Sequence, residues 1–178
     1  MRLLVLWIVG TALLSAATLE QLSLDTIIQK STGIVDGTVT DVYTELRGPV
    51  VYTRYRIRVS ERYKGAAGSQ MDVFVPGGRY GTLTQTFPGS PVLAKGQEYL
   101  LFLWAGRSGM SQVIGLSQGL FDIKREISGE VMVVRRAAEA TVLDSSGKLV
   151  EDTPVSLRLR EMVDRIQRTL AGGSQKAR

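Results

Sequence analysis

Between Val51 and Tyr63 the sequence alternates with period two more cleanly than anywhere else in the chain. Thr53, Tyr55, Ile57 and Val59 project one way, and Arg54, Arg56 and Arg58 the other. Successive side chains of a strand point to opposite faces, so this pattern describes a strand with one buried and one wet face. In the preceding run, Ile34 to Tyr43, Val35, Gly37 and Val39 alternate with Asp36, Thr38 and Thr40 in the same way. Arg47-Gly48-Pro49 punctuates the two runs as a turn, and they are expected to pair as a hairpin.

Around that hairpin the chain reads as many short strands closed by a helix at each end. Leu22 to Ser31 has a helical period, with Ser23 as cap, Asp25 at the positive end, and Leu24, Ile27 and Ile28 on one face, stopped by Gly33. Residues 64–68 form a loop, then Met71, Val73 and Val75 alternate inward until Pro76-Gly77-Gly78. Arg79 to Phe87 is a further strand or extended loop, and Pro88 to Gly96 is irregular. Tyr99 to Trp104 is apolar on both alternating faces, which demands cover on both sides. Val113–Leu116, Leu120–Ile123, Gly129–Arg135 and Thr141–Val150 are expected as short strands, the last turning at Asp144-Ser145-Ser146-Gly147. A C-terminal helix is expected to be capped by Asp152 or Thr153, with Pro154 in its first turn and Leu159, Val163, Ile166 and Leu170 as its apolar stripe. Glu161 with Arg165, and Asp164 with Arg168, sit four apart in the favourable order, and Gly172-Gly173 ends the helix. With 178 residues and no repeat, one domain over residues 18–172 with a flexible tail at 173–178 is expected.

The first residues bear on compartment. Met1-Arg2 is a short positive start, Leu3 to Leu14 an almost unbroken apolar run, and Ser15-Ala16-Ala17 supplies small residues for a cut between Ala17 and Thr18. This is the grammar of an export signal over residues 1–17. Twelve apolar residues make a helix of only about 18 Å, against a hydrocarbon core of about 30 Å. Loss of the segment removes Arg2 and lowers the formal charge from +5 to about +4. A secreted or periplasmic protein, with no stable membrane insertion after cleavage, is therefore expected. The chain has no cysteine, so its fold does not lean on the disulfides such compartments permit, and lipid attachment at the junction is ruled out.

Chemistry is bounded by what is missing. The chain has neither histidine nor cysteine, the usual ligands for zinc, copper, haem and iron–sulfur groups, and no calcium-loop motif appears; no metal site or cofactor is expected. Gly115-Leu116-Ser117-Gln118-Gly119 fits the spacing of a nucleophile elbow, yet no histidine exists to take the serine's proton, and a strand pattern follows; a glycine-rich turn is expected. Ser145 and Lys148 have the S-x-x-K spacing, but the aspartate and glycine around them favour a β-turn. A glycoside-hydrolase carboxylate pair has no local signature to find. No catalytic residue is therefore assigned, and the chain is expected not to be an enzyme.

One binding surface does stand out. Arg54, Arg56 and Arg58 with Tyr52 share a strand face that could hold a polyanion, arginines on phosphate or sulfate and the tyrosine stacking. The competing reading is a solvated face whose charges discourage edge association. Export argues against nucleic acid as partner.

A short helix, then Ile34-Val35-Asp36-Gly37-Thr38-Val39, then a strand ending at Tyr63-Lys64-Gly65, then Lys95-Gly96-Gln97-Glu98-Tyr99-Leu100-Leu101-Phe102-Leu103 after a glycine turn: from Leu22 to Ile123 this order resembles the OB-like barrel of netrin-type domains and tissue inhibitors of metalloproteinases. Nearly the whole chain resembles uncharacterised exported bacterial proteins. The resemblance implies a closed or partly open OB-like β-barrel, mostly β, with a short N-terminal helix and a C-terminal amphipathic helix. The inhibitors chelate a protease's zinc through an N-terminal cysteine, which this chain lacks; only the amine and carbonyl of Thr18 could stand in. The resulting expectation is an exported, non-enzymatic binding module for an extracytoplasmic protein or envelope polymer, with metalloprotease inhibition and polyanion binding as alternatives.

Overall fold

The computed structural model describes residues 18–66, 68–138 and 141–175. The expected export signal, its junction residue Ala17 and the last three residues of the expected tail lie outside these. In chain order the elements are β1 (Thr18–Glu20), α1 (Leu24–Lys30), β2 (Gly33–Arg47), β3 (Val50–Lys64), β4 (Gln70–Pro76), β5 (Gly78–Tyr80), β6 (Leu83–Gln85), β7 (Glu98–Ala105), β8 (Ser111–Val113), β9 (Leu120–Arg125), β10 (Val131–Arg135), β11 (Thr141–Leu143), β12 (Leu149–Val150), β13 (Val155–Arg158) and α2 (Leu159–Gln175).

The expected hairpin forms as β2 and β3, paired antiparallel from end to end, with β4 continuing the meander. The main sheet runs β13-β10-β9-β7-β2-β3-β4, and β8 adds to β7. It curls so that β4 comes beside β8 without ladder bonds between them, which makes a mostly-β, partly open barrel. Register shifts at Ile34/Val35, Asp36/Gly37 and Val39/Asp41 bend β2 where it passes from flat sheet into barrel. Gly37 sits at the tightest point: a Cβ there would lie 2.5 Å from Ile57 Cγ2 and 2.7 Å from the Arg58 carbonyl oxygen.

β7 explains the layering. Tyr99, Leu101 and Leu103 point into the barrel with Val35, Val39, Tyr55, Ile57 and Val73. Leu100 and Phe102 point outward and are roofed by Ile27 and Ile28 of α1 and Met162 and Ile166 of α2. A strand apolar on both faces thus receives two separate cores, as its sequence requires. A small sheet, β1-β11-β12, lies outside this body, with β1 parallel to β11.

Several expectations need correcting. The C-terminal helix starts at Leu159, not beside Pro154, and Val155–Arg158 pair antiparallel with β10. Asp152 caps no helix because Arg135 takes it. Two guanidinium bonds of 2.8 and 2.9 Å reach the carboxylate, which also accepts from the Ala138 amide, and Arg135 holds the Thr153 carbonyl oxygen. That clamp delivers the next residues to the open edge of β10. The helix then continues through Gly172-Gly173 to Gln175. Its innermost residue beside Ile166 is Met162, with Val163 half-exposed at the margin. The acid-first pairs within α2 also give way: Arg165 bonds Asp25 of α1 at 2.9 and 3.1 Å, Glu161 faces Arg158, and Arg168 donates to the Asp164 backbone carbonyl. The Val113–Leu116 strand stops at Val113, because Gly115 and Leu116 adopt left-handed φ values of 60° and 56° in a tight turn. Ser23 caps α1 as expected, accepting from the Thr26 amide.

Arg135 and Asp152 are each only 9% exposed, so deleting one partner strands the other's charge. Asp152→Ala is expected to lower unfolding free energy by about 3 kcal/mol, and the double change Arg135→Met with Asp152→Leu by much less. Urea denaturation of the three proteins decides this; equal losses in single and double variants would contradict it.

Candidate functional site

Where the sheet runs beyond the barrel, α1 and α2 roof only one face of β7, β9 and β10. On the other face Tyr99, Asp122 and Val134 stand in one cross-strand row. Residues 89–94 fold back over this row, tied down by the Ala94 amide donating 3.0 Å to the Tyr99 hydroxyl. What remains is a cleft of about 360 Å³, walled by Ser90, Pro91, Val92, Ser117, Leu120 and Arg136 around that row. Its lining is mixed, Leu120 and Val134 standing beside a loose ion pair, Arg136 Nε to Asp122 Oδ2 at 3.6 Å, with Arg136 82% exposed. The hydroxyls of Ser90 and Ser117 lie just behind the wall, buried and without a hydrogen-bond partner among the described residues. Buried hydroxyls are rarely left so, and both belong to residues that line the cleft.

Ser117 belongs to the Gly115–Gly119 segment, which is a turn leading into β9 and not an elbow. The turn works through Gln118 instead. This buried amide accepts from the Leu22 N–H and donates to the Glu20 carbonyl, each at 2.8 Å, pinning the N-terminal segment to the barrel. The Ser145–Lys148 stretch is likewise a turn, organised by Asp144 Oδ1, which accepts from the amides of Ser146 and Lys148.

The basic strand face is brought together and then largely occupied. Tyr52, Arg54, Arg56 and Arg58 do lie side by side on β3, outside the barrel. Asp72 of β4 stands 3.2 Å from Arg56 and 3.8 Å from Arg54, and Glu45 of β2 stands 3.8 Å from Arg54. The Tyr43 ring sits under both guanidinium groups at 5.0 and 5.8 Å. Tyr52 falls between Glu45 and Pro76. Arg58 alone is exposed without a partner among the described residues.

Sequence reasoning set Asp36 on a wet face and missed a strongly perturbed carboxyl that lies on the opposite side of the sheet from the cleft. Asp36 is 6% exposed, on the helix-bearing side of β2, with Oδ1 unpartnered. Burial, then the neighbouring carboxylate of Glu98, raises its pKa to about 7; Glu61 adds to this, and Arg125, itself 2.7 Å from Glu98, opposes it. Tyr63 beside them is pushed up to about 12, first by burial and then by Asp36. Only the cross-strand neighbours reveal this, since one strand's alternation cannot say that the other face is roofed too.

No protein-family model matches the chain, and no curated protein matches it. Among the described residues no helix is long and apolar enough to cross a membrane, and no group of three or more histidine, cysteine or acidic side chains is placed to hold a metal ion.

Unfolded, Asp36 titrates near 3.8 and folded near 7, so between these values the folded protein holds a proton that the unfolded chain has lost. Its contribution is therefore full below about pH 4 and drains away as pH rises to about 7, at up to about 1.4 kcal/mol per pH unit. Asp25, which Arg165 holds below its ordinary value, acts only under that window. Asp36→Asn is expected to flatten stability between pH 4.5 and 7, measured by denaturation midpoints; wild-type and variant profiles that run parallel would refute the assignment.

Proposed function

We propose that this chain is a non-enzymatic binding module that works outside the cytoplasm and recognises a protein or envelope polymer through the cleft over β7, β9 and β10. The observation that carries the reading is the pair of partnerless serine hydroxyls behind a mixed wall, with an exposed arginine on the rim. Such a lining suits an acceptor-bearing segment with an apolar side chain, held by hydrogen bonds from Ser90, Ser117 and Arg136 over Leu120 and Val134. The sequence's want of imidazole and thiol supports binding over catalysis, and the N-terminal segment with its small-residue junction supports export.

The two narrower alternatives gain less support. Polyanion binding by Tyr52, Arg54, Arg56 and Arg58 must compete with Asp72 and Glu45, already in place. Metalloprotease inhibition, suggested by the netrin-like order of elements, needs a free Thr18, whereas Thr18 pairs with Thr141 in β1 and β11.

Ala94 lines the cleft with an exposed side chain, and its amide bond to Tyr99 survives substitution. Immobilised wild type and Ala94→Trp are to be compared for retention of molecules from the host's own secreted and envelope fractions. Retention of the specific partner is expected to fall at least about tenfold in the filled variant. An unchanged retained set would remove the cleft from the proposal, and saturable consumption of a retained molecule would overturn the non-enzymatic reading.

A further inference from the structure

β2 outruns its neighbours. β7 pairs with it only from Gly33 to Thr38, and Val39 finishes that side through Gln97 and Gly96. From Asp41 to Arg47 the backbone ladders to β3 alone among the described residues, while the Asp41 carboxylate accepts from Lys95 Nζ at 3.0 Å. In an antiparallel ladder the N–H and C=O of successive residues alternate between the two sides. Val51 turns its carbonyl away from β2, to the Gly77 amide at 2.8 Å. Its cross-strand partner Leu46, and by alternation Thr44 and Val42, must therefore present N–H and C=O to the open side. Val42 and Leu46 are also 41% and 44% exposed. This edge carries no lysine or proline, the usual guards against pairing, and its bulge lies only at the start.

We propose that this edge pairs with the same edge of a second copy of the chain, antiparallel about a two-fold axis at Thr44. The sequence is complementary to itself in that register. Val42 lies opposite Leu46 of the second copy, Asp41 opposite Arg47, Tyr43 opposite Glu45, and Thr44 opposite its own copy; within one chain Asp41 also holds Lys95 and Arg47 also holds Glu45, so the intermolecular charge pair adds to these contacts. The outward groups of Val42, Thr44 and Leu46 form a continuous ladder, and opposite charges and apolar pairs meet on their respective faces. Neighbouring registers fail on charge: centring on Tyr43 sets Asp41 against Glu45, and centring on Glu45 sets that carboxylate against itself. A strand edge this short falls well below the roughly 1,600 Å² of a standard interface, so the dimer is weak and concentration-dependent.

Sedimentation equilibrium of the purified protein from micromolar to millimolar concentration tests this. A monomer–dimer equilibrium is expected. Thr44→Pro removes an outward N–H and no bond to β3, and Asp41→Arg sets like charges together; each is expected to weaken the dimer by about tenfold or more with an unchanged circular dichroism spectrum. Combining Asp41→Arg with Arg47→Asp restores opposite charges and is expected to recover affinity to within about threefold of wild type. A monomer at every concentration, a dimer indifferent to Thr44→Pro, or a charge exchange no better than the single reversal would each overturn the proposal.

Discussion

Burial of β7 on both faces is the constraint from which the rest of this architecture follows. Leu101 and Leu103 need an interior, which the curled β2-β3-β4 meander supplies; Leu100 and Phe102 need a roof, which neither strand nor loop could provide. Two helices from opposite ends of the chain meet that need, and the Phe102 and Phe121 rings pack edge to face beneath them, centroids 5.6 Å apart. The cleft is the residue of this solution. Once the helices are spent on one face of β9 and β10, the opposite face has only the 89–94 segment to cover it.

Polar contacts between distant segments do the fastening that disulfides do in many other folds. Arg135 clamps Asp152, Arg165 reaches Asp25, and Gln118 holds the N-terminal segment by two bonds, to Glu20 and Leu22. These contacts are specific more than strong, since desolvation offsets much of what an ion pair gains. They decide where segments dock, and β13 owes its existence to one of them. Asp36 is the opposite case, a carboxyl buried beside another carboxylate, Glu98, with its Oδ1 unpartnered among the described residues. It costs stability near neutral pH and has no fastening role of its own.

How much of this the sequence disclosed depended on whether a signal was local. The β2–β3 hairpin, the doubly buried β7, the cap of α1 and the turn at Asp144 were all legible, because period and turn chemistry are written in adjacent residues. The start of α2 was not. Val155 and Leu157 fit a strand as well as a helix, and the choice was made by Arg135, some twenty residues earlier, taking the aspartate that would have been a cap. The arginine face was read correctly as a face and incompletely as a surface, since Asp72 and Glu45 belong to neighbouring strands. The cleft left no sequence signal of its own, being defined by where cover runs out.

The far reach of the N-terminal contacts has a kinetic side. Asp25 bonds Arg165 across 140 residues, and β1 can align only after β11 exists. During synthesis from the N-terminus the early hairpin can form, but α1 has no lasting seat and the outer core no lid until the final helix has left the ribosome. Closure is therefore a late, nearly all-or-nothing event, of the slow kind that distant pairings impose. Until then the early hairpin waits with its outer face bare, and whatever else reaches that face first competes with the chain's own last helix.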